Sequence, residues 1–374
     1  MNKKYINYIY VLSFVLVILS IMSCGYETKI SKEDMAFDTV KYLQKSPRVL
    51  VLKNTSSKYI NLGSVPIKNF IIVDTIMFVD TGRDKGIVEI FSMKGYSSKG
   101  RLINKGRASG EFIQGINLGL YTTFMKKGQV LYGTIYDMVT GKLYSLNVSD
   151  FLSEGKYKLV EIYRNTEMPQ PAFWVKQLSD SILFTKVLTD EETAQKRYLI
   201  KNGKTGKIPN LDFADNFVVP KNEDFNLLST LIGVSPDGNK CVEAMLGMNY
   251  INVYSPINGR GYTICCGDKI DKLSEALSLP KAKRKYMFVD IRTYDFGFAI
   301  LKYDITEKEF ESGEGFIPSI LIFDWKGNTL GVVKPEVNFN HFDIDMNKEL
   351  LYILDTNGRI MRYDIPIVKL LERR

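Results

Sequence analysis

Ile90-Phe91-Ser92-Met93-Lys94-Gly95 reads as the end of an apolar strand running into a tight turn that closes on glycine. The same pattern returns as Ile135-Tyr136-Asp137-Met138-Val139-Thr140-Gly141 and as Val253-Tyr254-Ser255-Pro256-Ile257-Asn258-Gly259. A shorter copy is Ile322-Phe323-Asp324-Trp325-Lys326-Gly327, and a weaker one runs from Tyr198 through Lys204-Thr205-Gly206. Each copy places an aromatic residue, then a small or acidic one, then a hairpin turn whose glycine supplies a positive φ. A second repeat joins Met77-Phe78-Val79-Asp80-Thr81-Gly82 to Tyr352-Ile353-Leu354-Asp355-Thr356-Asn357-Gly358. In both, an Asp side chain is placed to cap the turn backbone.

The turn glycines fall at 95, 141, 206, 259 and 327, a mean spacing of about 58 residues. That is slightly longer than common propeller blades of roughly 40–50 residues. From Cys24 onward the chain has 351 residues, room for six such units. The composition agrees: 22 Tyr and 21 Phe stand against 2 Trp, and Tyr and Phe favour strands. The expected fold is all-β, a six-bladed β-propeller of four-stranded antiparallel blades over residues 46–366. Its last unit has no fourth strand of its own after Tyr363-Asp364. The N-terminal strand Arg48-Val49-Leu50-Val51-Leu52-Lys53 is expected to fill that place and close the ring.

The first 23 residues read as an address. Lys3 and Lys4 precede an apolar run from Ile9 to Met22, about as long as a signal-peptide core and shorter than the ~20 residues of a membrane span. Ile21-Met22-Ser23-Cys24-Gly25 then resembles a bacterial lipobox. That resemblance implies a diacylglyceryl group on the Cys24 sulfur, cleavage before Cys24 and acylation of its new amino group. The alternative is an uncleaved anchor with an incidental cysteine. Gly25, rather than Asp, follows Cys24, which favours the outer over the inner membrane; Glu27 is the only nearby acid, so a surface-export signal is weak. Residues 24–45 read as a lipidated tether, helical from Lys32 to Gln44, and 367–374 as a C-terminal tail.

The strand, Asp-Thr turn, strand and hairpin unit resembles the NHL/TolB-like six-bladed propellers. Together with the lipobox it is similar to the propeller lipoproteins abundant in Bacteroidetes. Their first-blade motif, Gly-x-Gly-Pro-Gly-Glu-aromatic, is matched in part by Gly106-Arg107-Ala108-Ser109-Gly110-Glu111-Phe112. The resemblance implies a scaffold and leaves activity open.

The chain has one histidine, which excludes multi-histidine zinc sites. It stands in His341-Phe342-Asp343-Ile344-Asp345, where period-two alternation puts His341, Asp343 and Asp345 on one face of the first strand of the last blade. Such a face offers acid–base work or a cation site. A calcium loop from Asp343 to Glu349 is excluded by Lys348 where a glycine belongs. No Gly-x-Ser-x-Gly elbow and no phosphate-binding loop occurs. The one dense basic run, Lys281-Ala282-Lys283-Arg284-Lys285, reads as a solvated loop before a strand, or else as a phosphate or lipid head-group site. Glu307 to Gly315 and Thr189 to Arg197 read as exposed loops.

After Cys24, three cysteines remain. Cys241, Cys265 and Cys266 cannot form a complete disulfide set; a Cys241 bridge to Cys265 or Cys266 competes with three buried thiols. The expected function is a membrane-anchored, non-enzymatic binding scaffold of the cell envelope. Its partners would be the membrane through its lipid and an envelope protein, glycan or peptide; no nucleic acid, resident metal or cofactor is expected, and a monomer is. The alternative is a hydrolase or lyase using His341 with Asp343 or Asp345, with or without a metal.

Overall fold

The structure is a computed structural model that describes residues 34–43, 47–108, 110–163, 169, 171–189, 194–220, 223–313, 316–367 and 369. Cys24, the apolar run before it and residues 371–374 lie outside the described residues.

Three short N-terminal strands come first: β1 (Val40–Tyr42), β2 (Val49–Leu52) and β3 (Lys58–Tyr59). Six antiparallel blades follow. Blade 1 holds β4 (Asn69–Val73), β5 (Ile76–Asp80), β6 (Lys85–Ser92) and β7 (Ser98–Lys105), with β8 (Glu111–Phe112) added in parallel. Blade 2 holds β9 (Thr122–Lys127), β10 (Val130–Asp137), β11 (Lys142–Asn147) and β12 (Leu159–Tyr163). Blade 3 holds β13 (Ala172–Ser179), β14 (Ile182–Leu188), β15 (Gln195–Lys201) and β16 (Lys204–Lys207). Blade 4 holds β17 (Thr230–Val234), β18 (Cys241–Met245), β19 (Tyr250–Tyr254) and β20 (Gly261–Cys265). Blade 5 holds β21 (Lys285–Tyr294), β22 (Gly297–Thr306), β23 (Ser319–Asp324) and β24 (Thr329–Pro335). Blade 6 holds β25 (Phe339–Asp345), β26 (Leu350–Asp355) and β27 (Ile360–Asp364). This is the six-bladed propeller that the repeat predicts.

The ring closes through the N-terminus, but by a different strand from the one expected. Arg48 to Lys53 supplies β2, which runs parallel to β24 at the outer edge of blade 5. The missing strand of blade 6 is β3, where Tyr59 lies opposite Met361 and Lys58 opposite Arg362. β1 in turn runs parallel to β20 on blade 4. The N-terminal chain therefore edges blades 4, 5 and 6 in succession before it enters blade 1. A helix over Lys32 to Gln44 is not what residues 34–43 form. Val40 is β-branched and pairs with Thr263, while Met35 and Ala36 are buried and Asn252 donates to the Met35 carbonyl at 2.7 Å. Pairing on an open sheet edge outweighs local helical preference.

Apolar cores lie between neighbouring blades, one at each interface around the ring. Phe78 of blade 1 stacks on Phe124 of blade 2 at 4.1 Å between centroids, and Trp174 meets Phe184 edge-on within blade 3 at 5.1 Å. The closing interface is equally apolar: Phe70, Met77 and Phe91 of blade 1 cluster with Tyr352, Leu354 and Ile360 of blade 6. The Tyr and Phe excess is thus spent largely on these seams. Burial of such a ring contributes roughly 1.5–3 kcal/mol.

Where an aspartate precedes the turn, it caps the turn backbone. Asp80 accepts from the Gly82 N–H, Asp137 from Val139, Asp324 from Lys326 and Asp355 from Asn357. Gly95, Gly141, Gly259 and Gly327 all hold positive φ, but Gly206 does not. The blade 3 hairpin instead turns at Asn202 (φ 50) and Gly203 (φ 73), the pair of left-handed residues that a two-residue hairpin needs. The charged insertion after β22 is a helix over Glu307–Ser312, because Thr306 and Glu309 form a reciprocal capping box. Gln195 and Arg197, expected in an exposed loop, are buried in β15. No disulfide bridges blade 4: Cys241, Cys265 and Cys266 are buried free thiols.

Candidate functional site

The first strand of each blade lines the central channel, and its inner edge has no further strand to pair with. Bare N–H and C=O groups there need partners. Much of the channel's polarity answers that need. Alternation along β21 turns Asp290, Arg292 and Tyr294 to one face, and along β25 it does the same for His341 and Asp343.

Asp343 is bound on all sides. Its Oδ2 accepts the Ile72 N–H of blade 1 at 2.7 Å and lies 3.6 Å from Arg292 Nε. Its Oδ1 accepts the Tyr294 hydroxyl at 3.0 Å and the Ile344 N–H at 2.8 Å. Asp290 Oδ2 accepts the Phe342 N–H at 3.2 Å and lies 3.3 Å from His341 Nδ1. Arg292 pairs with Asp290 and reaches past it to the Phe70 carbonyl at 3.0 Å. Three inner strands, β21, β25 and β4, are stitched together by this set. Elsewhere Thr293 donates to the Val234 carbonyl of blade 4 at 2.7 Å, and Lys176 of β13 donates to the Thr122 carbonyl of blade 2.

The electrostatics separate the two carboxylates. Burial pushes Asp290 up, but Arg292, the His341 bond and the Phe342 N–H outweigh it and hold the carboxyl below its usual range. At Asp343, burial prevails over Arg292 and the backbone donors, and its carboxyl is raised. Lys176 donates to backbone carbonyls, those of Gly119 and Thr122. Burial, helped by the positive charge of Arg292, brings its ammonium down to about 7.

His341 and Asp343 therefore join one network, but through Asp290 and Arg292 rather than directly. Asp345 does not join it. It turns to the β25–β26 connection, accepting the Lys348 N–H at 3.1 Å and pairing with Lys348 Nζ at 3.2 Å. Among the described residues, no group of three or more His, Cys, Asp or Glu is placed to hold a metal ion. The basic run at 281–285 is a short turn leading into β21, and three of its four charges are answered: Lys281 by Glu307, Arg284 by Glu223 and Lys285 by Asp271.

A second buried charge cluster joins blades 3 and 4. Arg197 pairs with Glu243 at 2.6 Å and Asp215 at 3.0 Å, Tyr254 donates to Glu243 at 2.8 Å, and Lys186 lies 4.0 Å from Glu243. Burial opposes charge on Glu243, yet Arg197 and Lys186 bring it down to about 2. Only the unusual sight of Lys, Arg and Glu at inward strand positions signals this cluster in the sequence.

No family model matches the chain, and no curated protein does. Some solved structures are similar to it in part. A member of the DUF4221 family from Bacteroides vulgatus is 12% identical over 82% of this chain and 97% of that one, with a TM-score of 0.47. A Bacteroides fragilis protein whose name marks it as exported is 12% identical over 82% of this chain and 88% of that one, also at 0.47. At these identities nothing about activity or ligand passes from those proteins to this chain.

Proposed function

We propose that the chain is a lipid-anchored propeller of the cell envelope, of the NHL/TolB-like kind found in Bacteroidetes, that works by binding rather than by catalysis. One observation carries this reading: the charged groups at the channel are spent on the backbone edges and charges of neighbouring blades. Asp343 alone accepts from an N–H of blade 1 and a hydroxyl of blade 5 and lies at ion-pair distance from an arginine. Groups committed in this way hold a scaffold together and leave recognition to loops and rims. The lipobox supplies the location, with Cys24 as the lipidated residue and the outer membrane as the favoured site. The ligand class is an envelope protein, a glycan or a peptide. Purified mature protein is expected to capture a defined component from envelope extract, and His341→Ala should capture it equally well. No enriched protein and no glycan-array signal would count against binding.

One observation favours a hydrolase or lyase. His341 keeps a carboxylate, Asp290, on one ring nitrogen while its side chain is 22% exposed. That pair is the base half of a nucleophilic site, without a hydroxyl or thiol on the ring among the described residues. Any hydrolytic activity of the protein that survives His341→Ala unchanged would remove this reading.

A further inference from the structure

The outer rim formed by β1, β2 and β3 is an unusual surface. Tyr42, Val49, Val51 and Tyr59 stand 57, 51, 54 and 54% exposed there. Between Thr39 and Val73 the sequence has six Lys or Arg and no acidic residue. Of these, Arg48, Lys53 and Lys58 are exposed beside the apolar side chains. Lys334 is also exposed, on β24 opposite Val51. Arg359 stacks over the Tyr59 ring at 4.7 Å, though its own charge is paired with Asp355 at 2.7 Å. The acids nearby are Asp38 before β1, Glu336 after β24, Asp364 at the end of β27 and Asp355, which Arg359 occupies. β2 edges the middle of the three blades, and in Arg48-Val49-Leu50-Val51-Leu52-Lys53 it sets two exposed valines between an arginine and a lysine. Its other two side chains, Leu50 and Leu52, pack inward against the seam between blades 5 and 6.

We propose that this rim rests against an anionic lipid surface. The inference builds on the lipid-anchor reading, and the position of the anchor supports it. Cys24 precedes Asp34, the first described residue, by ten positions, which at full extension span about 35 Å. A chain tied down at Cys24 enters the propeller at Met35, buried against blade 4, and five residues later forms β1 on that blade's outer edge. Exposed valines and tyrosines enter the head-group boundary, while lysines and arginines pair with lipid phosphates. An edge strand with outward apolar side chains invites aggregation, and charges at both ends restrain it. The same charges select a negatively charged surface, and salt weakens that attraction.

The test uses purified mature protein with phosphatidylcholine vesicles and with vesicles containing phosphatidylglycerol. Flotation with phosphatidylcholine vesicles reports the anchor. Acetylation of Lys53 and Lys58, read by mass spectrometry, reports the rim. On phosphatidylglycerol vesicles these two lysines are expected to label at least fivefold more slowly than on phosphatidylcholine, with the difference lost in 1 M salt. Equal labelling on both, with the protein afloat, would overturn the proposal. Should the protein fail to float with phosphatidylcholine, the anchor reading fails, and low-salt binding to phosphatidylglycerol vesicles tests the rim alone. That binding should fall at least tenfold in the Lys53→Glu/Lys58→Glu variant; unchanged binding would again refute the rim.

Discussion

Asp343 on the inner strand of blade 6 accepts the backbone N–H of Ile72 on the inner strand of blade 1 at 2.7 Å. A side chain of the last blade thus satisfies the bare edge of the first. The bond sits at the seam where the two ends of the repeat meet, opposite the seam's outer closure by β3. Polar groups lining a channel invite an enzymatic reading; Asp343 and Asp290 also accept backbone N–H groups that a further strand would otherwise pair.

The two channel carboxylates should respond differently to loss of charge. Asp290 sits below its usual range, so its ionised form stabilises the fold above pH ~4, and that stability is lost as pH falls through its depressed pKa. Asp343 is raised, so ionising it already costs the fold. Asp290→Asn should lose about 3–5 kcal/mol at pH 7, as a broken buried ion pair does. Asp343→Asn, which keeps an acceptor oxygen for Ile72, should lose less than about 2 kcal/mol. Urea unfolding of both variants checks the order.

Closure by β3 depends on few bonds. Ile60 donates its N–H to the Ile360 carbonyl at 2.9 Å. Proline at Ile60 removes that donor, and Ile60→Pro should cost about 1–3 kcal/mol and open the blade 6 edge. Hydrogen exchange should then quicken first in β27. Unchanged protection of Met361 and Arg362 would place the closure elsewhere.

Lys176 makes stability depend on pH in a fixed direction. Its ammonium titrates at about 7 in the fold against 10.5 when unfolded, so the unfolded chain binds more protons between those values. The penalty is complete below pH 7 and is relieved as pH rises toward 10.5. Between pH 7 and 9 the wild type should gain about 2 kcal/mol relative to Lys176→Met. Paired denaturation curves at the two pH values measure it, and a constant gap would contradict the assignment.

The three described thiols should be inert. Burial pushes Cys241 and Cys265 up and Cys266 to about 12, leaving almost no thiolate at pH 7.5. Iodoacetamide is expected to label none of them in the native protein within an hour and all three in urea. Prompt native labelling at Cys266 would mean that the blade 4–5 seam opens.

The hairpins were legible because each is local: an Asp, Ser or Asn beside a glycine decides its own turn, as Asp137 and Gly141 do. The strand that closes blade 6 was not, because Lys58-Tyr59 is two residues long and carries no alternation to read. The apolar run at Val49 to Leu52 looked the better candidate, yet its place depends on the distance the chain must travel from blade 4 to blade 6. His341 and Asp343 stood out in sequence, whereas their true partners, Asp290 and Arg292, lie about fifty residues earlier on the next inner strand. Strand period predicts which side chains share a face, but not which blade they face. Arg197 and Glu243 were hidden for the same reason.

The claim that the protein works at a membrane surface is tested most directly by the mass of the N-terminal peptide of the purified protein. The account predicts a peptide that begins at Cys24 and carries a thioether-linked diacylglyceryl group and an amide-linked acyl chain, both absent from Cys24→Ser. A peptide that begins at Met1 with an unmodified Cys24 thiol would contradict it.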